Sequence, residues 1–409
     1  MSANRIVITG SGVISAIGAG KEETLQSLQQ GVGGVAPVRY LQTDHTECMV
    51  GEVKMTNREM MARLGIPSDV PVVRTSLLGM LALREALQES GLSREDLAET
   101  AFINGTTVGG MDKSEQFYLD FLGETASSEA PVAYIKTHDC GASTDMIADY
   151  AGRFGMTTSI STACSSAANA IILGARMILA GECDKVVAGG AECLSKFHLN
   201  GFNTLMILDQ QPCRPMDAGR AGLNLGEGAA YLVLESEASA QKRGAKVLGV
   251  LSGFGNACDA FHQTASSPEG EGAFLAMRQA LSMAGLQPSD VDYINCHGTG
   301  TPNNDPSELR AMHRLFGNVL PPFSSTKGFT GHTTSASGSI EAVFCLLALQ
   351  HQFLPVNLNF SSPIADEEHP ESDNMPVTAG NQALRHPIRR VLCNAFGFGG
   401  NDSSILLEV

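Results

Sequence analysis

The chain has 409 residues, 43% of them hydrophobic, which is enough for a large core divided between two lobes and excludes a disordered or fibrous protein. Its 27 basic against 43 acidic residues give a net charge of −16, which argues against a nucleic-acid surface or a general affinity for anionic membranes, so that an acidic partner must find a local basic patch. Ten cysteines are scattered without a CxxC pair, no secretory signal precedes the first strand, and no charge-free apolar stretch reaches the roughly 18–20 residues of a membrane helix, so the expectation is a cytoplasmic protein with reduced thiols.

The opening RIVITGSGVIS reads as a strand. Gly10-Ser11-Gly12 imitates a dinucleotide turn, but the third glycine of GxGxxG falls on Ser15, so no cofactor is expected there. Met80–Leu92 has the spacing of an amphipathic helix ending in Gly-Leu; the short strand Phe102–Asn104 and a Gly/Thr loop follow. Met156–Thr162 reads as a strand leading to Cys164 and the small-residue helix SSAANAIILGARMILAG, and Ala229–Glu235 closes this half as a strand. The same series then recurs. Ala273–Leu286 is a second helix ending in Gly-Leu, followed by the strand Tyr293–Asn295, the loop His297–Thr301, a strand at Phe323–Thr326, the apolar helix SGSIEAVFCLLALQ and a last strand at Ser403–Glu408. A repeat of this length predicts two similar αβ lobes with a seam near residues 240–250. Asn357–Gln382, acidic and Pro-bearing, reads as a surface loop.

Chemistry concentrates in three places. Cys164 stands at a strand-to-helix turn among small residues, where the helix dipole favours a thiolate and a backbone N–H can hold an oxyanion; a structural buried cysteine is the alternative. His297 lies in a Gly/Thr loop after a buried strand, and His332 lies just before the second half's apolar helix. Glu341, inside that helix, needs a partner, and Lys327 is the nearest cation. A zinc site of Cys296, His297 and His313 lacks the usual paired spacing, so no metal is expected.

RIVITGSGVISAIGAG, TACSSAANAI, CRPMDAGRAGLNLGEGAAYLVLE, HGTGTPNND, STKGFTGH and NAFGFGGND occur in this order, and together they resemble the β-ketoacyl-acyl-carrier-protein synthases of the elongating type I/II. The resemblance implies an α/β thiolase-like fold, duplicated αβ halves in a five-layered αβαβα arrangement, with residues 1–245 carrying the nucleophile and 246–409 the catalytic histidines. It implies decarboxylative condensation of an acyl thioester on Cys164 with malonyl-acyl-carrier protein, without metal or organic cofactor. The N–H groups of Cys164 and Phe398 would form the oxyanion hole. His297 and His332 would bind the malonyl thioester, and Lys327, fixed by Glu341, would order them. Thr299 and Thr301 would lie along the pantetheine arm, Phe202 and Val108 along the acyl chain, and Phe398 would gate the site. A modest side chain at Val108 leaves the tunnel open to medium or longer chains, or to a specialised polyene or polyketide pathway. The expected partner is acyl-carrier protein, and the expected assembly a homodimer, with a heterodimer carrying a chain-length-factor-like subunit as the alternative; no nucleic acid or membrane is expected.

The chain also departs from its relatives. TTSASGSIEA replaces a run of small apolar residues after His332, Asn401-Asp402 replaces the usual Thr-Asn, and Asn304 stands where glycine is usual. Asn203–Ile207 lacks the arginine that contacts the carrier in relatives, leaving Lys196, Arg58, Arg63 and Arg74 as candidate substitutes.

Overall fold

A computed structural model describes residues 5–123, 132–365, 374–378 and 382–409. Its main sheet has ten strands. The first five are β1 (Ile6–Ser15), β2 (Thr100–Gly105), β3 (Met156–Ile160), β4 (Lys185–Glu192) and β5 (Gly228–Ser236); the second five are β6 (Gly249–Cys258), β7 (Tyr293–Asn295), β8 (Phe323–Ser324), β9 (Arg390–Gly397) and β10 (Asn401–Glu408). The order across the sheet is β8-β7-β9-β10-β6-β1-β5-β4-β2-β3. Within each half the first strand pairs antiparallel with the fifth and the fifth antiparallel with the fourth, while the fourth, second and third run parallel. The duplication seen in the sequence is therefore a duplication of topology. The halves join where Ile6–Ile8 of β1 pair antiparallel with residues 249–251 of β6.

Seven helices matter for the site: α1 (Arg74–Ser90), α2 (Cys140–Ala151), α3 (Ser166–Ala180), α4 (Lys196–Thr204), α5 (Glu271–Ala284), α6 (Asn304–Phe316) and α7 (Ser337–His351). The two Gly-Leu signals are helix ends, with Gly91 and Gly285 left-handed at φ 67° and 70°. Helices α1 and α2 cover one face of the first half and α5 and α6 one face of the second, while α3 and α7 lie between the halves and touch both. Five layers result, because strands apolar on both faces need cover on both.

The middle layer explains the two helices without a polar stripe. Every residue from Ser337 to Leu349 is buried. Ala163–Ala180, the one stretch among the described residues long and apolar enough to cross a membrane, contains the other central helix, α3. The two helices cross at Gly338, where an added Cβ would sit 2.9 Å from the backbone nitrogen of Ala168. That contact brings the start of α7, just after His332, against the first turn of α3, just after Cys164. Asn357–Gln382 is irregular where described; 366–373 and 379–381 lie outside the described residues.

Candidate active site

Strand β3 ends at Ile160 and the chain turns sharply into α3. Ala163 has φ 52°, a left-handed conformation that costs a non-glycine residue about 1–2 kcal/mol, and the turn presents Cys164. Hydrogen bonds hold it there: the Ser166 hydroxyl donates to Ala163 O at 2.6 Å and receives the N–H of Thr162 at 2.9 Å. From the opposite side comes the turn between β9 and β10, where Gly399 and Gly400 have φ 85° and 78°. The backbone N–H groups of Phe398 and of Cys164 itself act on the sulfur and pull its pKa down.

The electrostatics of Cys164 differ from the sequence expectation. Burial pushes the thiol up to about 11, against the opposing pulls of the Lys327 cation and the Phe398 N–H. Only 5% of the residue is exposed, so loss of hydration outweighs the helix terminus, and the resting group is a thiol.

The histidines come from the second half. His297 follows β7, and its N–H and that of Gly298 donate to the buried Glu308 carboxylate, each at 2.8 Å. His332 is fixed by its backbone: its N–H donates to Asn224 O at 2.7 Å and its carbonyl accepts from Gly226 N at 2.9 Å. The two rings meet edge to face with centroids 5.2 Å apart. Lys327 Nζ lies 2.6 Å from Glu341 Oε1 and 3.4 Å from His297 Nδ1, the two side chains 1% and 2% exposed. An ammonium beside Nδ1 makes that nitrogen the acceptor, which leaves the proton of His297 on Nε2. Burial, with Lys327 adding to it, holds both imidazoles well below their usual range, so both are neutral donors at pH 7. Burial pushes Glu341 up to about 7, with Lys327 opposing it.

Cys164, His297, His332, Thr299, Thr301, Phe202 and Phe398 line one cavity of about 270 Å³. Phe202 stacks on Phe398 with centroids 5.9 Å apart and 18° between planes, and the hydroxyls of Thr299 and Thr301 are 2.8 Å apart. Lys327 and Glu341 stand behind His297, outside the lining. Val108 is also outside it, buried beside Glu192, to which its N–H donates at 3.4 Å. Of the basic residues considered for a partner, Arg58 and Arg63 are exposed and Lys196 half-buried, but Arg74 turns inward onto Glu227 at 2.5 Å and 2.8 Å. Arg74 is thus a buried ion pair and not a docking residue. His313 pairs with Asn374 and Gly317 O, away from the cysteines.

Three groups escape the sequence reading, and a fourth, Asp402, stands out there only as a replacement in the usual Thr-Asn pair. Glu192 closes β4 and accepts from the Thr106 hydroxyl, the N–H and hydroxyl of Thr107, and the Ser335 hydroxyl. An acid ending an apolar strand was the signal available. Glu308, on the amphipathic α6, organises the His297 loop. His198 is 7% exposed and stands edge-on to Phe202, but its neighbours Phe197 and Leu199 disguised it as core. Asp402 lines the cavity beside the Gly399–Gly400 turn, where burial and the nearby Asp259 and Glu308 push its carboxyl up to about 8.

Comparison with known proteins accounts for this arrangement. The sequence model of the β-ketoacyl synthase N-terminal domain matches residues 3–240, and that of the C-terminal domain matches 248–361. The chain belongs to the β-ketoacyl synthase family. Among curated β-ketoacyl synthases, the 3-oxoacyl-[acyl-carrier-protein] synthase 2 of Vibrio harveyi is 33% identical over 100% of this chain and 99% of its own length, and that of Coxiella burnetii is likewise 33% identical, with the same coverage. Among solved structures, the ishigamide ketosynthase/chain length factor superposes with a TM-score of 0.90 at 30% identity over 100% of both chains. The ketosynthase ApeO in complex with its chain length factor ApeC, from Xenorhabdus doucetiae, gives 0.80 at 31% identity over 99% of this chain and 98% of the matched one.

Proposed function

We propose that this β-ketoacyl synthase condenses an acyl group carried on Cys164 with a malonyl group presented by acyl-carrier protein, releasing CO₂ and giving a β-ketoacyl-carrier product in fatty-acid or related polyene or polyketide biosynthesis. The observation that carries the reading is the convergence of Cys164 and two neutral histidines on one cavity, in a chain whose full-length relatives are 3-oxoacyl-carrier synthases.

In the first step Sγ attacks the acyl thioester, the N–H groups of Cys164 and Phe398 receive the oxyanion, and the carrier's thiol leaves with the proton from Cys164. In the second step the malonyl thioester oxygen lies between the N–H groups of His297 and His332. Loss of CO₂ places negative charge on that oxygen, and each well-placed donor in a dry site lowers the barrier by roughly 3 kcal/mol. The resulting carbon attacks the acyl group, and Cys164 departs as a thiolate that takes up a proton. Lys327 is a positioning residue, holding the His297 tautomer through Nδ1. Thr299 and Thr301 flank the pantetheine arm, Phe202 and Val108 the acyl chain, and Phe398 swings as the gate. No bound cofactor enters these steps.

The enzyme works in the cytoplasm as a homodimer with acyl-carrier protein as its partner, and its two halves divide at residue 245. A second reading, a subunit of a ketosynthase/chain-length-factor heterodimer, is favoured by the likeness to the ishigamide and ApeO–ApeC structures. Incubation with acyl-carrier protein is expected to add one acyl mass to the Cys164 peptide and none to a Cys164→Ala variant. His297→Ala is expected to accept the acyl group yet fail to release CO₂ from malonyl-carrier; normal release removes that role, and condensation only with an added partner subunit selects the second reading.

A further inference from the structure

One carboxamide ties together the two turns that meet at Cys164. Asn401 opens β10 just after Phe398, Gly399 and Gly400, and its Oδ1 accepts from three side chains: the Ser165 hydroxyl at 2.9 Å, Asn169 Nδ2 at 2.7 Å and Asn256 Nδ2 at 3.0 Å. The donors stand on different elements. Ser165 follows Cys164 directly, Asn169 lies near the start of α3, and Asn256 lies on β6 of the other half. Further bonds close the network: Asn169 Nδ2 also donates to the Thr162 hydroxyl at 2.8 Å, the Ser403 hydroxyl donates to Asn169 Oδ1 at 2.8 Å, and Asn256 Nδ2 donates to the Ser403 hydroxyl at 3.0 Å. Ser165 and Ser403 are fully buried, so loss of the central acceptor leaves polar groups unpaired where water does not replace it.

This network sits between the two N–H groups that act on the sulfur. Cys164 precedes Ser165, and Phe398 lies within the tight turn that pairs Gly397 with Asn401 and is closed by the Gly400 N–H donating to Gly397 O at 3.0 Å. The turns touch: a Cβ added at Gly397 would sit 2.9 Å from Thr162 O and 3.2 Å from Ser165 Oγ. Both are built on left-handed residues, Ala163 in one and Gly399 and Gly400 in the other, and such backbone persists only where its surroundings fix it. Among the described residues no backbone hydrogen bond joins 162–165 to 397–401, so side chains set the separation of the two turns. Asn401 is the group that bonds to the nucleophile turn, to α3 and to β6 at once.

We propose that Asn401 is a positioning residue for acyl transfer, holding the N–H groups of Phe398 and Cys164 at the separation that one thioester oxyanion spans. The inference rests on the condensing reading, which gives those two N–H groups their task. Donors to an oxyanion work only where they are fixed before the charge develops, and a displacement on the order of 1 Å costs about a hundredfold in rate. Asn401 does not line the cavity itself, so it acts through the two turns. Asparagine stands here in place of the usual threonine of related motifs, and it carries its oxygen farther from the backbone, out to donors on three elements.

The test reads two reactions of the same sulfur by mass spectrometry of the Cys164 peptide. Acylation by an octanoyl pantetheine thioester passes through an oxyanion, whereas alkylation by iodoacetamide does not. Asn401→Ala is expected to lower kcat for acylation about a hundredfold with KM within about twofold of native, and to slow alkylation less than about tenfold. Equal falls in the two reactions place the effect on the thiol alone, and alkylation faster than native marks an opened turn; either overturns the positioning role. Asn256→Ala removes one donor to the same oxygen from outside the cavity, is expected to lower acylation about tenfold, and serves if Asn401→Ala is poorly folded. The double variant is expected to match Asn401→Ala within about twofold, because both changes act through one oxygen, and falls that multiply overturn the proposal. A native protein that takes no acyl group from carrier or thioester overturns the condensing reading, and the positioning role falls with it.

Discussion

At Cys164 two effects compete. A helix N-terminus carries about half a unit of positive charge, but desolvation of a fully enclosed thiolate is larger, and the balance leaves the thiol at about 11. Alkylation of Cys164 by iodoacetamide is therefore expected to rise about tenfold per pH unit between pH 7 and 9, because only the thiolate reacts. A plateau below pH 8, read from the Cys164 peptide by mass spectrometry, would contradict the assignment. The ion pair behind the histidines is a second case. Glu341→Leu leaves the Lys327 ammonium buried alone and is expected to cost about 3–5 kcal/mol in denaturant unfolding. The double change Lys327→Met/Glu341→Leu is expected to recover most of that stability and still lose CO₂ release, separating the structural role of the pair from its effect on His297.

The elements that carry these residues are turns under constraint. The nucleophile turn holds Ala163 at φ 52°, so Ala163→Val, β-branched in a left-handed position, is expected to destabilise the fold by about 1–2 kcal/mol, whereas Ala163→Gly is expected to be near neutral. The turn at Gly399–Gly400 is tied to the segment after β6: Gly399 N–H donates to Gln263 O at 2.8 Å and Asp259 N–H to Gly400 O at 2.7 Å. Asp402 stands at this junction with its carboxyl raised to about 8 from an ordinary value near 3.8. A carboxyl raised in the folded state binds its proton more tightly there than in the unfolded chain. Its contribution to stability is therefore complete below about pH 4 and is lost as pH rises through 8. Asp402→Asn is expected to remove this dependence, so that the variant gains roughly 1–3 kcal/mol over the native protein between pH 5 and pH 8. Parallel stability curves for the two proteins would show that Asp402 does not titrate in this way.

At the scale of the molecule, two half-sites meet because two halves share a middle layer. Neither half holds a complete set: Cys164 belongs to the first, and His297, Lys327, His332, Glu341 and Phe398 to the second. One surface remains apolar, a groove in which Tyr118, Ile135 and Phe197 are 58%, 53% and 57% exposed. Patches of this kind are uncommon on monomers, and sedimentation equilibrium is expected to give twice the 43.0 kDa chain mass. Phe197→Asp is expected to shift the protein toward the monomer; a native protein that sediments as one chain would remove the homodimer.

Much was legible without coordinates. The Gly-Leu helix ends, the period of the strands and the recurrence of one series of elements announced two αβ halves, since these signals arise between residues close in the chain. Cys164, His297 and His332 were legible because each breaks its local pattern: a cysteine at a turn, a histidine in a glycine loop, a histidine before a helix apolar all round. Glu192 and His198 were not, because each looks ordinary among its neighbours and acquires meaning only from remote segments packed against it. The charge of Cys164 was misjudged for the same reason. Dipoles are local and can be read along the chain, whereas the balance at the sulfur is set by everything packed around it: burial raises the thiol, while Lys327 and Phe398, more than 160 and 230 positions away, pull against it. Sequence order determined which elements form; only their packing decided which side chains lose water, and therefore which are neutral and which are charged.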